Sequence, residues 1–242
     1  MDEEAHEVYD GFAPTYADRN PGSPARAGYE WPAVRAVLPD VDGRRVLDAA
    51  CGTGYYARWL ADRGATVVGL DASRGMLEEA NDDHGDVLDL AEADLRTDLP
   101  LVDDCVDLVV CQLALDHIED WTPVFESFAR VLAPGGALVL SIDHPFTTYF
   151  VIDHEPDDIG NAQATAADYY AVERFEKRWG SGDDAVTMPV YRRSLAAVTR
   201  PLFAAGFAVT DLREPRPTTD TEPLAYFDER TPRFLVVRAE RP

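Results

Sequence analysis

The stretch Val46-Leu47-Asp48-Ala49-Ala50-Cys51-Gly52-Thr53-Gly54-Tyr55-Tyr56 constrains what this chain can fold into more than any other. An apolar run enters it, an acid ends the run, two glycines follow, and Ala57, Leu60 and Ala61 then recur at helical spacing. The pattern predicts a strand, a tight turn and a helix. Glycine serves here because a ligand can approach the backbone closely only where no side chain intrudes, and the N–H groups of the first helical turn then point at it. Asp48, at the predicted strand tip, would face the same crevice as a carboxylate placed to hold a cationic group.

Gly52-Thr53-Gly54-Tyr55-Tyr56-Ala57 formally satisfies the dinucleotide fingerprint, which would make the chain a nicotinamide-dependent oxidoreductase. Asp48 opposes that reading, because a carboxylate ahead of the glycines repels a pyrophosphate. An ordinary glycine turn in an α/β protein is the plainer alternative. The motif Asp48-x-x-Cys51-Gly52-Thr53-Gly54 resembles the first motif of the class I S-adenosylmethionine-dependent methyltransferases. The resemblance implies S-adenosyl-L-methionine as cofactor, with Ala50, Gly52 and Gly54 wrapping its amino acid end, where ammonium and sulfonium are both cationic. Ala49-Ala50 departs from many relatives, which have a larger apolar residue and glycine there.

The resemblance further implies a doubly wound, Rossmann-like, seven-stranded and mostly parallel sheet of order 3-2-1-4-5-7-6, with the final strand antiparallel. The second strand ends in Asp71, seventeen residues after Gly54, close to the spacing at which a strand-end carboxylate reaches ribose hydroxyls. Asp71, with Ala72 beside it, is therefore the expected ribose ligand; the alternative is that it caps the helix Ser73 begins. A third strand over Val87–Ala93 ends in Asp94-Leu95. The resemblance gives Asp94 the adenine amino group and Leu95 the ring face, with Met76 near the adenine; alternatively Asp94 is a turn residue. Ligands in such sheets bind where strand order reverses, here between the first and fourth strands. That places Gln112, Leu113 and the run to His117 beside the transferred methyl.

Glu4 to Ala17 reads as a helix broken by Pro14, and Tyr9–Asp18 resembles the leader of ubiquinone and menaquinone-type methyltransferases, which folds over the cofactor. Tyr16 is its expected cofactor or substrate contact, or else an aromatic that packs the leader down. Arg26 either approaches the cofactor carboxylate or is solvated. A second helix is predicted over Tyr29–Leu38, a third sheet-flanking helix over Trp121–Leu132 with a turn at Ala133-Pro134-Gly135-Gly136, and a late helix over Tyr191–Ala205. The chain reads as one domain, 1–242, with a helical leader over 1–40 and a lid insertion over 143–190 after the fifth strand. The lid carries many aromatics, of which Tyr149 and Trp179 are the expected substrate contacts; they suit an uncharged or cationic organic acceptor.

Methyl transfer from a sulfonium is an in-line displacement achieved largely by positioning, and a base is needed only if the acceptor arrives protonated. His117 and His144 are the candidate bases; His144 sits at a strand tip held by Pro145, or is a loop histidine with no role. The expected activity is methylation of a small organic molecule. A noncatalytic, cofactor-binding regulatory protein is the reading from another class.

Net charge −23 and a pI near 4.4, with Lys177 the only lysine, describe an acid-rich surface of halophilic type. Without a basic block there is no electrostatic footprint for nucleic acid or an anionic membrane. Cys51, Cys105 and Cys111 show no C-x-x-C spacing, which argues against zinc and disulfides and for a reduced compartment. The first residues lack the regions of a signal peptide, and no apolar run reaches the ~20 residues of a bilayer span, so a cytoplasmic location is expected.

Overall fold

The computed structural model describes residues 4–19, 23, 26–150, 168–179, 185–218 and 231–242. Its centre is set by strands that are apolar on both sides. Val46 and Leu47, and Leu108 and Val109, are adjacent in sequence and fully buried on opposite faces, so helices must cover both. The strands are β1 (Arg45–Ala49), β2 (Thr66–Asp71), β3 (Asp89–Glu92), β4 (Val106–Gln112), β5 (Leu132–Asp143), β6 (Glu173–Trp179), β7 (Val186–Arg192), β8 (Ala208–Arg213) and β9 (Phe234–Glu240). Seven of them form one sheet in the order β3-β2-β1-β4-β5-β9-β8, while β6 and β7 form a separate antiparallel hairpin. The first five positions run parallel, and β9 is antiparallel to both β5 and β8. This is the expected Rossmann-like order, with the reversal between β1 and β4.

On one face Trp121, Phe125 and Phe128 of or beside α5 (Thr122–Val131) and Val198 and Leu202 of α7 (Leu195–Ala204) pack over Leu47, Val109 and Leu138. On the other, α2 (Trp31–Val37) and α3 (Tyr55–Ala61) bring Trp31, Val34 and Leu60 onto Val46, Leu108 and Val139. No helix among the described residues is long and apolar enough to cross a membrane.

Several boundaries differ from the sequence reading for local reasons. The edge strand β3 is shorter than Val87–Ala93, and β5 begins at Leu132 rather than after the glycines. Leu132 pairs with Val106 and Ala137 with Leu108, so the Ala133–Gly136 turn is looped out as a bulge, with Gly135 at φ 79°. The last helix starts at Leu195 because the Ser194 hydroxyl caps it by accepting from the Ala197 N–H; Tyr191 and Arg192 finish β7 instead. Residues 151–167 and 180–184 of the anticipated lid lie outside the described residues. The described part is α6 (Pro145–Phe150) and the β6–β7 hairpin, whose β7 packs on α1 (Ala5–Arg19) and on the short 3-10 turn Leu115–His117.

Pro14 does not break α1. A proline frees the carbonyl four residues earlier, here that of Asp10, and the helix accommodates this by resting on α4 (Arg74–His84) at a glycine. A Cβ placed on Gly75 would lie 2.7 Å from the Asp10 carbonyl oxygen. The Asp10 carboxylate in turn accepts from the Ser73 hydroxyl at 2.7 Å and the Gly75 N–H at 2.9 Å, capping α4 from outside. The leader is thus fixed to the second βα unit. Gly75→Ala should cost about 1–3 kcal/mol by overpacking, and Asp10→Ala about 1–2 kcal/mol through the lost cap. Urea unfolding measures both; changes below ~0.3 kcal/mol in both variants would contradict the contact.

Candidate functional site

The carboxyl ends of β1 to β4 open onto one cavity beneath α1. Ala50, Gly52, Asp71, Ala72, Met76, Asp94, Leu95, Gln112, Leu113 and His117 line it, as does Tyr16 from the leader. Most of the residues picked from the sequence are therefore brought together. Two non-glycine residues on its wall, Ala50 at φ 60° and Leu113 at φ 52°, sit in the left-handed region. Backbone strain of this kind costs about 1–3 kcal/mol and gathers where function needs it.

The loop after β1 is held from below. Asp71 accepts the Gly52 N–H on Oδ2 and the Ser73 N–H on Oδ1, both at 2.8 Å, so this one carboxylate ties two βα turns together. Burial nevertheless raises its pKa, those N–H groups opposing the rise. Asp48 does not face the cavity as expected. It lies under the loop, 1% exposed, and its Oδ2 has no hydrogen-bond partner among the described residues. Burial first, and the neighbouring Asp71 second, push its pKa up to about 7. Gly54 is not on the cavity wall either. It has φ 75° at the start of α3, and a Cβ there would meet Ala80, His84 and Leu88 at 3.2–3.3 Å, so it serves close packing against α4.

Asp94 faces the cavity and is also the turn residue of the alternative reading. Its carboxylate accepts from the Arg96 backbone N–H at 2.8 Å and from the Arg96 guanidinium at 2.7 Å. Burial opposes its ionisation, but Arg96 prevails and holds the pKa below the usual range. Gln112 is 5% exposed, and its Nε2 has no partner among the described residues, which leaves a buried donor on the cavity wall.

Arg26 belongs to the site and is half-buried, against the solvated alternative. It starts a π-helical turn, Arg26–Glu30, and its guanidinium lies 5.6 Å from the Tyr16 ring centre and 5.3 Å from that of Tyr56. It donates to the Tyr16 hydroxyl at 2.7 Å. Behind it Glu30, fully buried, accepts from Tyr56 at 3.0 Å and from Ser141 at 2.6 Å. Tyr9, also missed from the sequence, packs edge-on against Tyr16 and His117.

A second cavity adjoins the first and shares Tyr9, Tyr16, Arg26, Leu113 and His117 with it. His117 stands at the junction. Its Nδ1 lies 2.9 Å from the Pro189 carbonyl, which can only accept, so Nδ1 carries the proton and Nε2 accepts from the Tyr9 hydroxyl at 3.2 Å. Burial lowers its pKa and keeps it neutral.

His144 is not at either cavity. It accepts the Phe146 N–H on Nδ1 and pairs through Nε2 with Glu214 at 2.8 Å, which fixes the turn after β5. Tyr149 also lines neither cavity: buried against Tyr169 and beneath Arg192, it donates to the Ala171 carbonyl at 3.1 Å and fastens α6 to the hairpin. Trp179 ends β6, and its side chain lies outside what is described. No group of three His, Cys, Asp or Glu able to hold a metal occurs among the described residues.

Residues 47–140, the part that builds the first cavity's floor, match the family described as methyltransferase domain. A demethylmenaquinone methyltransferase of Clavibacter sepedonicus is 41% identical over 112 residues, 44% of each chain. A malonyl-[acyl-carrier protein] O-methyltransferase of Pectobacterium atrosepticum is 35% identical over 106 residues, 44% of this chain and 41% of that one. The alignments thus span under half the length of these two relatives. The crystal structure of an S-adenosylmethionine dependent methyltransferase from Mesorhizobium loti superposes over 91% of this chain and 99% of its own, with a TM-score of 0.69 and 27% identity.

Residues 47–140 are thus a methyltransferase domain, and with the shared fold they support a class I S-adenosylmethionine-dependent methyltransferase.

S-adenosylmethionine is the cofactor of this methyltransferase, and the residues present fit it. Gly52 has nothing within 4 Å of where a Cβ would be, leaving its backbone open to an approaching group. The cavity's donor set also matches a zwitterionic nucleoside: a guanidinium at Arg26, carboxylates at Asp71 and Asp94, a spare amide donor at Gln112, and Met76 and Leu95 as apolar surface.

The raised pKa of Asp48 has a stability consequence. Above about pH 4 the unfolded chain has given up this proton while the folded protein keeps it, so the group's contribution to stability is lost as pH rises from about 4 towards 7. Asp48→Asn should flatten that part of the profile, so the stability difference between variant and wild type grows in the variant's favour by at least about 1 kcal/mol across the window. Parallel urea-unfolding profiles from pH 4 to 8 would show that Asp48 titrates normally.

Proposed function

We propose that this methyltransferase transfers a methyl group in line to a small organic acceptor seated in the second cavity, with the β6–β7 hairpin as its lid. The observation that carries the reading is the junction at His117, where a cofactor-type cavity and a second chamber meet beside the strained Leu113. The cofactor supplies the activated methyl. Arg26 holds its amino acid carboxylate, Asp71 the ribose hydroxyls, and Asp94 with Leu95 and Met76 the adenine. Asp48 acts through its field from below the loop, favouring positive charge above it. Gln112 and Leu113 line the reacting end.

For an acceptor that arrives protonated, Tyr9 and His117 provide the route. The Tyr9 hydroxyl passes its proton to His117 Nε2 while taking the acceptor's proton on its own oxygen, and so ends unchanged. Burial first and then Tyr16 raise the Tyr9 pKa, so the phenol persists before and after. The Pro189 carbonyl on the hairpin holds the His117 tautomer that makes Nε2 the accepting atom. Water is kept out by the leader above and the hairpin beside. The relatives' names point to different acceptors, a demethylmenaquinone and a malonyl-[acyl-carrier protein], so neither is assigned to this chain.

Calorimetry with S-adenosylhomocysteine and with NAD tests the cofactor reading directly: the thioether should bind at least ~100-fold tighter, about 2.7 kcal/mol. Equal or stronger NAD binding would overturn it. Once turnover with an acceptor is in hand, His144→Ala should change it less than about threefold, and His117→Ala should lower it about 10²-fold or more at saturating cofactor. The reverse pattern would remove the Tyr9–His117 relay.

A further inference from the structure

The guanidinium of Arg26 is held by two tyrosines, and one of these is held in turn by a carboxylate that does not line the cofactor cavity. Glu30 closes the π-helical turn that Arg26 opens, and it is fully buried. It takes one hydroxyl on each oxygen: Tyr56 donates to Oε2 at 3.0 Å and Ser141 to Oε1 at 2.6 Å. Ser141 is fully buried on β5, and Tyr56 lies in the first turn of α3. One side chain of the leader segment is thereby bonded both to the sheet and to the helix that follows the glycine loop.

A buried carboxylate is costly unless its oxygens are satisfied and a cation stands near. Burial raises the Glu30 pKa, and Arg26 is foremost in opposing the rise, ahead of the Ser141 and Tyr56 hydroxyls. Arg26 nevertheless gives its hydrogen bond to the Tyr16 hydroxyl, at 2.7 Å, and Glu30 receives its own from the two hydroxyls. What connects the two charges is Tyr56, whose ring centre is 5.3 Å from the guanidinium carbon and whose hydroxyl donates to Glu30. A guanidinium carries its five N–H donors in a rigid planar fork, so it binds a carboxylate through two parallel bonds only when that plane is aimed at it. Tyr16 fixes the fork by a hydrogen bond. Tyr56 fixes it by its ring face, which positions a cation only if the ring itself is held. Trp31 packs on that ring with 4.3 Å between centres, and Glu30 secures its tip.

We propose that Glu30 is a positioning residue for the amino acid end of the cofactor: through the Tyr56 hydroxyl it fixes the ring that aims the Arg26 guanidinium at the cofactor carboxylate. This rests on the assignment of Arg26 to that carboxylate and deepens it by naming what orients the guanidinium. Two plainer roles make different predictions. A carboxylate acting by its field alone weakens the pull of the neighbouring cation on an incoming anion, so removing its charge would tighten binding. One that only supports the fold would affect every ligand alike.

The test compares S-adenosylhomocysteine with 5′-methylthioadenosine, which keeps the nucleoside and lacks the amino acid end, by calorimetry on the full chain. In Glu30→Gln the amide has one oxygen for two hydroxyls, and S-adenosylhomocysteine should bind about tenfold more weakly, the size expected for a poorly aimed charge-assisted pair. Binding of 5′-methylthioadenosine should stay within about twofold of wild type, which also shows that the variant folds. Tyr56→Phe keeps the ring and the Glu30 charge but removes the bond between them, and should weaken S-adenosylhomocysteine severalfold with the same indifference to 5′-methylthioadenosine. Arg26→Gln should lose at least as much as either, and adding Glu30→Gln to it should take away no further affinity, because Glu30 acts through Arg26. Unchanged or tighter S-adenosylhomocysteine binding in Glu30→Gln, equal losses for both nucleosides, or a loss that persists in the Arg26→Gln background would each overturn the role of Glu30, while a selective loss in Arg26→Gln keeps the assignment of Arg26 intact. Arg26→Gln without a selective loss would overturn that assignment and the role of Glu30 with it.

Discussion

A carboxylate with little water around it, placed under a glycine-rich loop, is the constraint on which this site depends. Asp48 is fixed there because β1 is buried on both faces and its last turns lie beneath the glycine loop. Nothing among the described residues satisfies its second oxygen, and it shares its surroundings with Asp71. The folded protein therefore carries two close carboxylates whose mutual repulsion a positively charged guest would relieve. Burying the Asp48 carboxylate costs the fold stability as pH rises above about 4.

The second organising element is the line of contacts from leader to hairpin. Asp10 ties α1 to the start of α4, Tyr9 on the same helix donates to His117, and His117 donates to Pro189 on β7. Both covers of the site thus meet at one histidine. A change in either cover would therefore alter how the His117 ring is held.

The sheet was legible because its signals are local: apolar runs ended by Asp48 and Asp71, each followed by a helix, force parallel strands with their tips on one edge. Gly52, Asp71, Asp94, Leu95 and Gln112, named from that pattern, all line the first cavity. What escaped depended on contacts far apart in sequence. His144 looks like a strand-tip base until Glu214, seventy residues on, is seen to hold it. Tyr149 looks like a pocket aromatic until the Ala171 carbonyl takes its hydroxyl. Arg26 enters the cavity through a π-helical turn, which no periodicity announces.

The central claim is that Asp48 makes the first cavity selective for positive charge without touching its guest. S-adenosylmethionine and S-adenosylhomocysteine differ by the methyl and the sulfonium charge, so the ratio of their affinities reads that field directly. Titrating both into wild type and Asp48→Asn at pH 8, where the wild-type carboxyl is mostly ionised, should show the ratio shifting by about fivefold or more against S-adenosylmethionine in the variant, the equivalent of ~1 kcal/mol of charge interaction. An unchanged ratio, with both ligands bound, would mean that the buried carboxylate shapes the loop and does nothing for the charge of what binds above it.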